Sequence, residues 1–234
     1  MSVHLKEYAN RHRAAEAVAH LRWLTTLDAG VRLPTMEFHA GTRVGLEHLT
    51  GRTIAPDDLP AVADALGRLH AAAHRHALHL ATISQPYRAG NMLITDFVSP
   101  RRRALQRQPV PYQGLPTALY KDANVRNFLI TTDGVALIDF DDLTLAPFGY
   151  DLAKLIVTTA MTFGEPGNIP NTLAAYNARI SPNACPASHL RCYAELHHDL
   201  TVGYLGRNGY RHRWTDLRPW PGPPRPGPLP ATTR

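Results

Sequence analysis

The sequence predicts an α+β fold of two unequal lobes, and three features of the residue pattern predict it. Alternating apolar and polar residues, the period of a half-buried strand, are concentrated in about the first fifty residues, around one helical segment. Beyond them, apolar residues recur three and four apart over most of the chain, the period of amphipathic helices. One hairpin pattern interrupts that helical part, so the order is not the strand–helix alternation of a parallel α/β sheet.

Taken in order, SVHLKEY (Ser2–Tyr8) alternates as a strand, with Val3 and Leu5 between polar neighbours. Arg11–Leu27 places Ala14, Ala17, Val18, Leu21 and Leu24 at helical spacing, with Asn10 as N-cap and Asp28-Ala29-Gly30 as stop. Pro34–His39 and Arg43–Leu49 read as strands joined by Ala40-Gly41-Thr42. Asp57 and Asp58 are the capping residues expected for a long helix, Leu59–His79, whose apolar face is Leu59, Val62, Leu66, Leu69 and Ala73. Gln85–Pro116 carries several prolines and reads as irregular. The hairpin follows, then helices over Asp151–Phe163, Pro170–Arg179 and Ala187–Leu205. The expected division is residues 1–49 as a small lobe of strand, helix, strands and hinge; 50–216 as a helical lobe; and 217–234 as a disordered Pro-rich tail.

Apolar residues make up 44% of the 234, and no apolar run approaches the roughly 18 residues of a membrane helix. MSVHLKEYANRHR lacks the apolar centre of a secretory signal, and Cys185 and Cys192 are too few for a disulfide framework. A cytoplasmic protein with no membrane partner is the expectation. The net charge of +6 fits an anionic partner without naming one.

The chemistry concentrates in LYKDANVRNFLITTDGVALIDFDD, Leu119–Asp142. Asn127–Thr131 and Val135–Phe140 are strand-like, and Thr132-Asp133-Gly134 is a turn signal between them. Pairing them puts Asn127 at the end where Asp139 leaves the hairpin, with Asp122 five residues before Asn127. Two carboxylates and an amide oxygen at one hairpin mouth suit Mg²⁺, a hard cation that takes a few oxygen ligands plus substrate phosphates. Acids and Asn also gather at strand ends simply because they favour turns.

The run LYKDANVRNFLI…VALIDFDD…GYDLAKLIV resembles the aminoglycoside phosphotransferase-like family, which includes choline-kinase-type enzymes and shares the protein-kinase fold. That family carries H-G-D-x-x-x-x-N, then I-D-[WF], then Y-D-L-A. The resemblance implies ATP and Mg²⁺ as cofactors and transfer of the γ-phosphate to the hydroxyl of a small molecule, aminoglycoside-like, sugar or natural-product alcohol. It implies Asp122 as catalytic base, Asn127 and Asp139 as metal ligands, and Asp151 as a helix cap bonded to the catalytic-loop backbone. Lys6 stands where the family's phosphate-holding lysine does, with Glu16 as its ion-pair partner. VGLEHLTGRTI resembles the hinge, where the backbone of Glu47 and Leu49 would bond the adenine edge. Tyr120-Lys121 replace His-Gly, and Asn124 replaces the usual His. Lys121 and Arg126 add positive charge near the expected γ-phosphate. Asp141 ranks below Asp139 as a metal residue, and Asp142 reads as fringe.

Only five residues precede Lys6, so the family's first two strands and their phosphate-covering turn have no counterpart, and a shortened N-terminal lobe is expected. The alternative function is therefore a catalytically weak or inactive kinase-fold protein. His70, His74, His76 and His79 read as structural or solvated, His197, His198 and His212 as surface residues, and Arg101–Arg103 with Arg107 as a solvated basic loop. No nucleic-acid partner is expected, because no nucleic-acid-binding fold signature accompanies those arginines. Glu195 and Asp199, four apart, could form a small acidic face, but the region is basic. Charge complementarity therefore favours a neutral or anionic acceptor over a polycation.

Overall fold

A computed structural model describes residues 2–108, 110–120, 122–139 and 141–220. The first strand, β1 (Val3–Glu7), is followed by α1 (Arg11–Thr26), β2 (Met36–Ala40) and β3 (Arg43–Glu47). These strands form one antiparallel sheet in the order β1-β3-β2. Asn10 caps α1 as expected, its side chain accepting from the Arg13 N–H at 3.0 Å. Asp28 and Gly30, both at positive φ, end the helical segment.

The long helix is α2 (Leu59–His76). Its expected face of Leu59, Val62, Leu66, Leu69 and Ala73 is fully buried, each Leu contributing about 1.5–3 kcal/mol relative to exposure. Asp58 does not cap α2 through its side chain; that carboxylate accepts from the Ala55 N–H at 2.8 Å and pairs with Arg52. Near the middle of α2, a Cβ on Gly67 would lie 2.6 Å from the Tyr176 carbonyl oxygen, so only glycine allows this close helix crossing.

The segment expected to be irregular contains a hairpin, β5 (Tyr87–Ala89) and β6 (Met92–Ile94), and a short helix, α3 (Arg102–Arg107). The helical part is thus interrupted more than once. β7 (Thr117–Tyr120) pairs antiparallel with β10 (Thr144–Pro147), and β8 (Phe128–Thr131) with β9 (Gly134–Leu137). A two-residue strand, β4 (Arg52–Thr53), adds to the edge of β8. The strands at 52–53, 87–94, 117–120 and 144–147 are too short to show a clear period, which is why the sequence hides them.

The remaining helices are α4 (Tyr150–Phe163), α5 (Ile169–Asn177), α6 (Ala187–Thr201) and α7 (Trp214–Leu217). One contiguous apolar cluster runs from Ala14 to Trp214, so the two lobes share a core. The expected tail does not begin at Leu217. Trp220 stacks edge-on against buried Trp214 at 5.6 Å and donates its indole N–H to Glu195 at 2.9 Å. The rest of that tail lies outside the described residues. No described helix is long and apolar enough to cross a membrane.

Candidate active site

A cavity of about 440 Å³ opens between the small sheet and the β8–β9 hairpin. Alternation along β1 turns Lys6 and Tyr8 toward it, while Val3 and Leu5 stay on the exposed outer face. Val18 and Leu21 of α1 supply an apolar wall, and the end of β3 brings in Glu47 and Leu49. The hairpin contributes Asn127 and Asp139. Five of the residues singled out from the sequence (Lys6, Glu47, Leu49, Asn127 and Asp139) therefore meet around one space.

Glu16 is not among them. It lies on the outer side of α1 with Arg13 at 3.2 Å and His12 at 3.3 Å, and the ion pair with Lys6 that the resemblance implies is not formed. Lys6 instead sits between two carboxylates, 2.5 Å from Asp139 and 2.6 Å from Asp141. Burial works against its charge, but the hydrogen bonds and charges of Asp139 and Asp141 outweigh burial and raise its pKa above the ordinary lysine value. The Tyr8 hydroxyl donates to Asp141 at 2.8 Å, and Arg13 pairs with Asp142 at 2.9 Å. The small lobe thus grips all three acids at the hairpin mouth. Asp141, ranked second from the sequence, is as closely engaged as Asp139. Glu47 is bound at its side chain by Arg32 and by the Thr35 N–H at 3.1 Å. That backbone hydrogen bond, with Arg32, holds its carboxyl below the usual range.

The hairpin register explains the mouth. Phe128 pairs with Leu137, and the Ile138 N–H donates to the Asn127 carbonyl at 2.9 Å, so Asn127 and Asp139 emerge side by side. The Asn127 amide nitrogen donates to the Asp122 carbonyl at 2.9 Å, which leaves the amide oxygen as the end available to a cation. Two carboxylates already converging on an ammonium, with an amide oxygen beside them, fit a hard divalent cation in donor chemistry. Among the described residues no cluster of three or more His, Cys, Asp or Glu could hold a metal by itself.

Asp122 lies in the loop after β7, and both it and Asp139 adopt the left-handed backbone region, with φ of 70° and 71°. The pairing of β7 with β10 carries this loop to the start of α4. There the Asp151 carboxylate, fully buried, accepts the Ala123 N–H at 2.8 Å. The resemblance's expectation of a loop-bonding Asp151 holds in geometry, but the N-cap position belongs to Gly149. One turn along α4, Lys154 forms an ion pair with Asp122 and donates to the Tyr120 hydroxyl at 2.7 Å. Tyr120 in turn donates to Asp122 at 3.1 Å, and burial pushes its phenol pKa well up, so it remains a donor. Lys121 lies outside the described residues.

Asp122 faces a second cavity, about 340 Å³, which it shares with Arg101, Arg126, Lys154, His197 and Tyr210. Asn127 connects the two spaces, since it lines the first and bonds the residue that lines the second. Three expectations fail here. Arg101 is not solvated but buried, with its guanidinium over the rings of Phe97, Tyr120 and Tyr150. His197 is buried rather than on the surface. Glu195 and Asp199 form no acidic face: Glu195 is buried and bound by Trp214, Trp220 and Arg218, and Asp199 pairs with Arg107 at 2.7 Å. Lys154 could have been found from YDLAK, since i+3 from Asp151 places it on the same helix end. Within the Arg101–Arg103 run no local signal separates the buried member from its neighbours. The four helix histidines behave as expected: His70 meets the Tyr176 hydroxyl at 2.7 Å and His74 the Thr117 carbonyl at 2.8 Å.

A sequence model of the phosphotransferase enzyme family, APH, matches residues 5–188. No curated protein matches the chain in sequence. Among solved structures, a choline/ethanolamine kinase family protein from Mesorhizobium loti is 17% identical, with a TM-score of 0.53 over 84% of this chain and 70% of that one. Aminoglycoside phosphotransferase APH(3'')-Id from Streptomyces rimosus, in complex with ADP and streptomycin, is 20% identical, with a TM-score of 0.50 over 84% and 86%. Amicoumacin kinase hAmiN, in complex with AMP-PNP, Ca2+ and Ami, is 14% identical, with a TM-score of 0.57 over 86% and 72%. At such identities the likeness is one of fold, the two-lobe protein-kinase-like fold.

Proposed function

The chain belongs to the phosphotransferase enzyme family, APH, and on that premise we propose that it moves the γ-phosphate of ATP to a hydroxyl of a small molecule in the cytoplasm. The observation that carries the reading is the junction of two cavities at Asn127 and Asp122, one with the residues for a nucleotide and one with the base for an acceptor. The free thiols of Cys185 and Cys192 support a reducing compartment. Solved relatives of this fold hold ADP or AMP-PNP, and one holds Ca2+, which supports a nucleotide and a divalent cation as cofactors.

In this reading the backbone of Glu47 and Leu49 meets the adenine edge, and Lys6 leaves Asp139 and Asp141 to take the phosphates. Asn127 and Asp139, with Asp141 beside them, would hold Mg²⁺, which when bound neutralises charge on the transferring phosphate. Asp122 accepts the proton of the acceptor hydroxyl as its oxygen bonds to the γ-phosphorus and ADP departs. Lys154 and Tyr120 fix the Asp122 carboxylate toward the second cavity, and Asp151 fixes the loop that carries it. Positioning of this kind is most of what a phosphotransferase contributes.

One observation favours a second reading, a nucleotide-binding protein without turnover: Lys6 pairs with the hairpin carboxylates and not with Glu16. Two measurements separate the readings. Thermal shift with AMP-PNP and Mg²⁺, and again with EDTA, reports binding and its metal dependence. ADP release over a panel of hydroxyl compounds, with Asp122→Asn as control, reports turnover. Turnover abolished by Asp122→Asn supports the first reading, binding without turnover the second, and turnover untouched by Asp122→Asn refutes the assigned base.

A further inference from the structure

We infer that the second cavity takes an acceptor bearing an anionic group, a carboxylate or phosphate, together with the hydroxyl to be phosphorylated. This rests on the phosphotransferase reading and adds the substrate class. The cavity is lined by three cationic side chains, Arg101, Arg126 and Lys154, against the single carboxylate of Asp122. Lys154 is matched by Asp122, and the nearby Asp151 is spent on the Ala123 N–H. Arg101 and Arg126 form no ion pair among the described residues, so a positive charge of two remains uncompensated at this wall.

Arg101 makes the argument specific. The residue is 7% exposed, and an unpaired buried charge is costly. Part of that cost is offset by three aromatic faces, by the Tyr150 hydroxyl 3.1 Å from Nε, and by the Phe97 carbonyl accepting from Nη1 at 3.0 Å. Nη2 makes no hydrogen bond among the described residues, and the residue lines the cavity. A guanidinium held on rigid rings, with one nitrogen unspent, is built to meet the oxygens of an anion. His197 is a second unpartnered group on the same wall: it is 3% exposed and neither ring nitrogen has a hydrogen-bond partner. Burial, then the charges of Lys154 and Arg101, push its pKa well below the ordinary value, so it stands ready as a neutral donor or acceptor. Tyr120, Tyr150, Tyr204 and Tyr210 add aromatic surface around these groups. A polycation brought here would face Arg101 and Arg126 with only an already paired carboxylate to receive it.

The test uses three hydroxyl compounds that share one ring and differ in charge: 4-hydroxyphenylacetate, 2-(4-hydroxyphenyl)ethanol and tyramine. Binding is measured by ligand-observed NMR on the full chain. The anion should bind at least about tenfold more tightly than tyramine, the neutral alcohol falling between them. Arg126→Gln, at an exposed residue, should cut the anion's advantage about threefold or more and leave the neutral probe unchanged. Arg101→Gln should remove it further, and Arg101→Lys should restore part of it, a split that a merely structural arginine would not give. Preference for tyramine, equal binding of all three, or binding of none overturns the inference. AMP-PNP with Mg²⁺ is titrated in parallel on the unmodified protein: loss of that binding counts against the phosphotransferase reading, and leaves the charge preference to be judged on the probes.

Discussion

Replacing Gly149 with alanine should unfold a large share of this protein's stability from a single methyl group. Gly149 stands at φ +91°, a conformation that L side chains rarely adopt, and it opens the helix that carries Asp151 and Lys154. Alanine there carries about 1–2 kcal/mol of backbone strain. The added Cβ would also overlap the Cys185 sulfur and lie 2.8 Å from the Cys185 Cβ, with Cys185 itself fully buried. Overpacking of a tight core costs about 1–3 kcal/mol. The sum, about 2–5 kcal/mol, is a substantial part of a total that for a domain is about 5–15 kcal/mol. Urea unfolding followed by fluorescence of the three tryptophans measures it as a lowered midpoint with little change of slope. In Gly149→Ala/Cys185→Ala, removing the sulfur relieves the closer overlap and leaves the backbone strain and the 2.8 Å approach of the two Cβ atoms. The cycle should show a favourable coupling of about 1–3 kcal/mol. A single mutant within about 0.5 kcal/mol of the parent, or a double mutant with no coupling, would refute this account.

Three further expectations concern the site. Asp122→Asn should lower kcat by about 100- to 10,000-fold, the range for a general base, with AMP-PNP binding retained in calorimetry. Lys6→Met removes a group whose folded pKa lies above its ordinary 10.5, so the stabilisation it loses is fully present below that pH and fades as pH rises above it. The parent and Lys6→Met unfolding midpoints should therefore converge only in strongly alkaline buffer, and a constant gap would contradict the pairing with Asp139 and Asp141. His197, with its pKa held well below 6.5, resists protonation when folded, so stability should fall as pH drops below that value. His197→Gln should flatten that acid limb of the stability profile.

The parts of the fold legible in the sequence are those with long, regular periods. The α2 face from Leu59 to Ala73 and the cap at Asn10 are written in local spacing, and the structure repeats them. The short strands were not legible, because three or four residues cannot display a period and their pairing is set by distant partners such as β7 with β10. At the site, the convergence of Asn127 and Asp139 follows from one tight hairpin, a local event. The cationic wall does not: Arg101, Lys154 and His197 come from three separate helical segments, and only tertiary packing brings them to Asp122. Glu16 shows the reverse failure, where a register that matched a family pattern landed on a helix face bound by its own neighbours.

The left-handed backbone at Asp122 and Asp139 has a consequence for anyone who mutates them. At such φ values glycine is the residue the backbone itself prefers, and asparagine is tolerated where alanine is not. An alanine scan would therefore mix conformational strain with lost chemistry and overstate the second, whereas asparagine isolates the charge. Glycine at either position relieves the backbone but strips Lys154 or Lys6 of its carboxylate, so strain and charge pull stability in opposite directions. At each of these positions one residue answers both to the backbone and to a lysine, and only asparagine, which keeps the first and drops the second, tells the two apart.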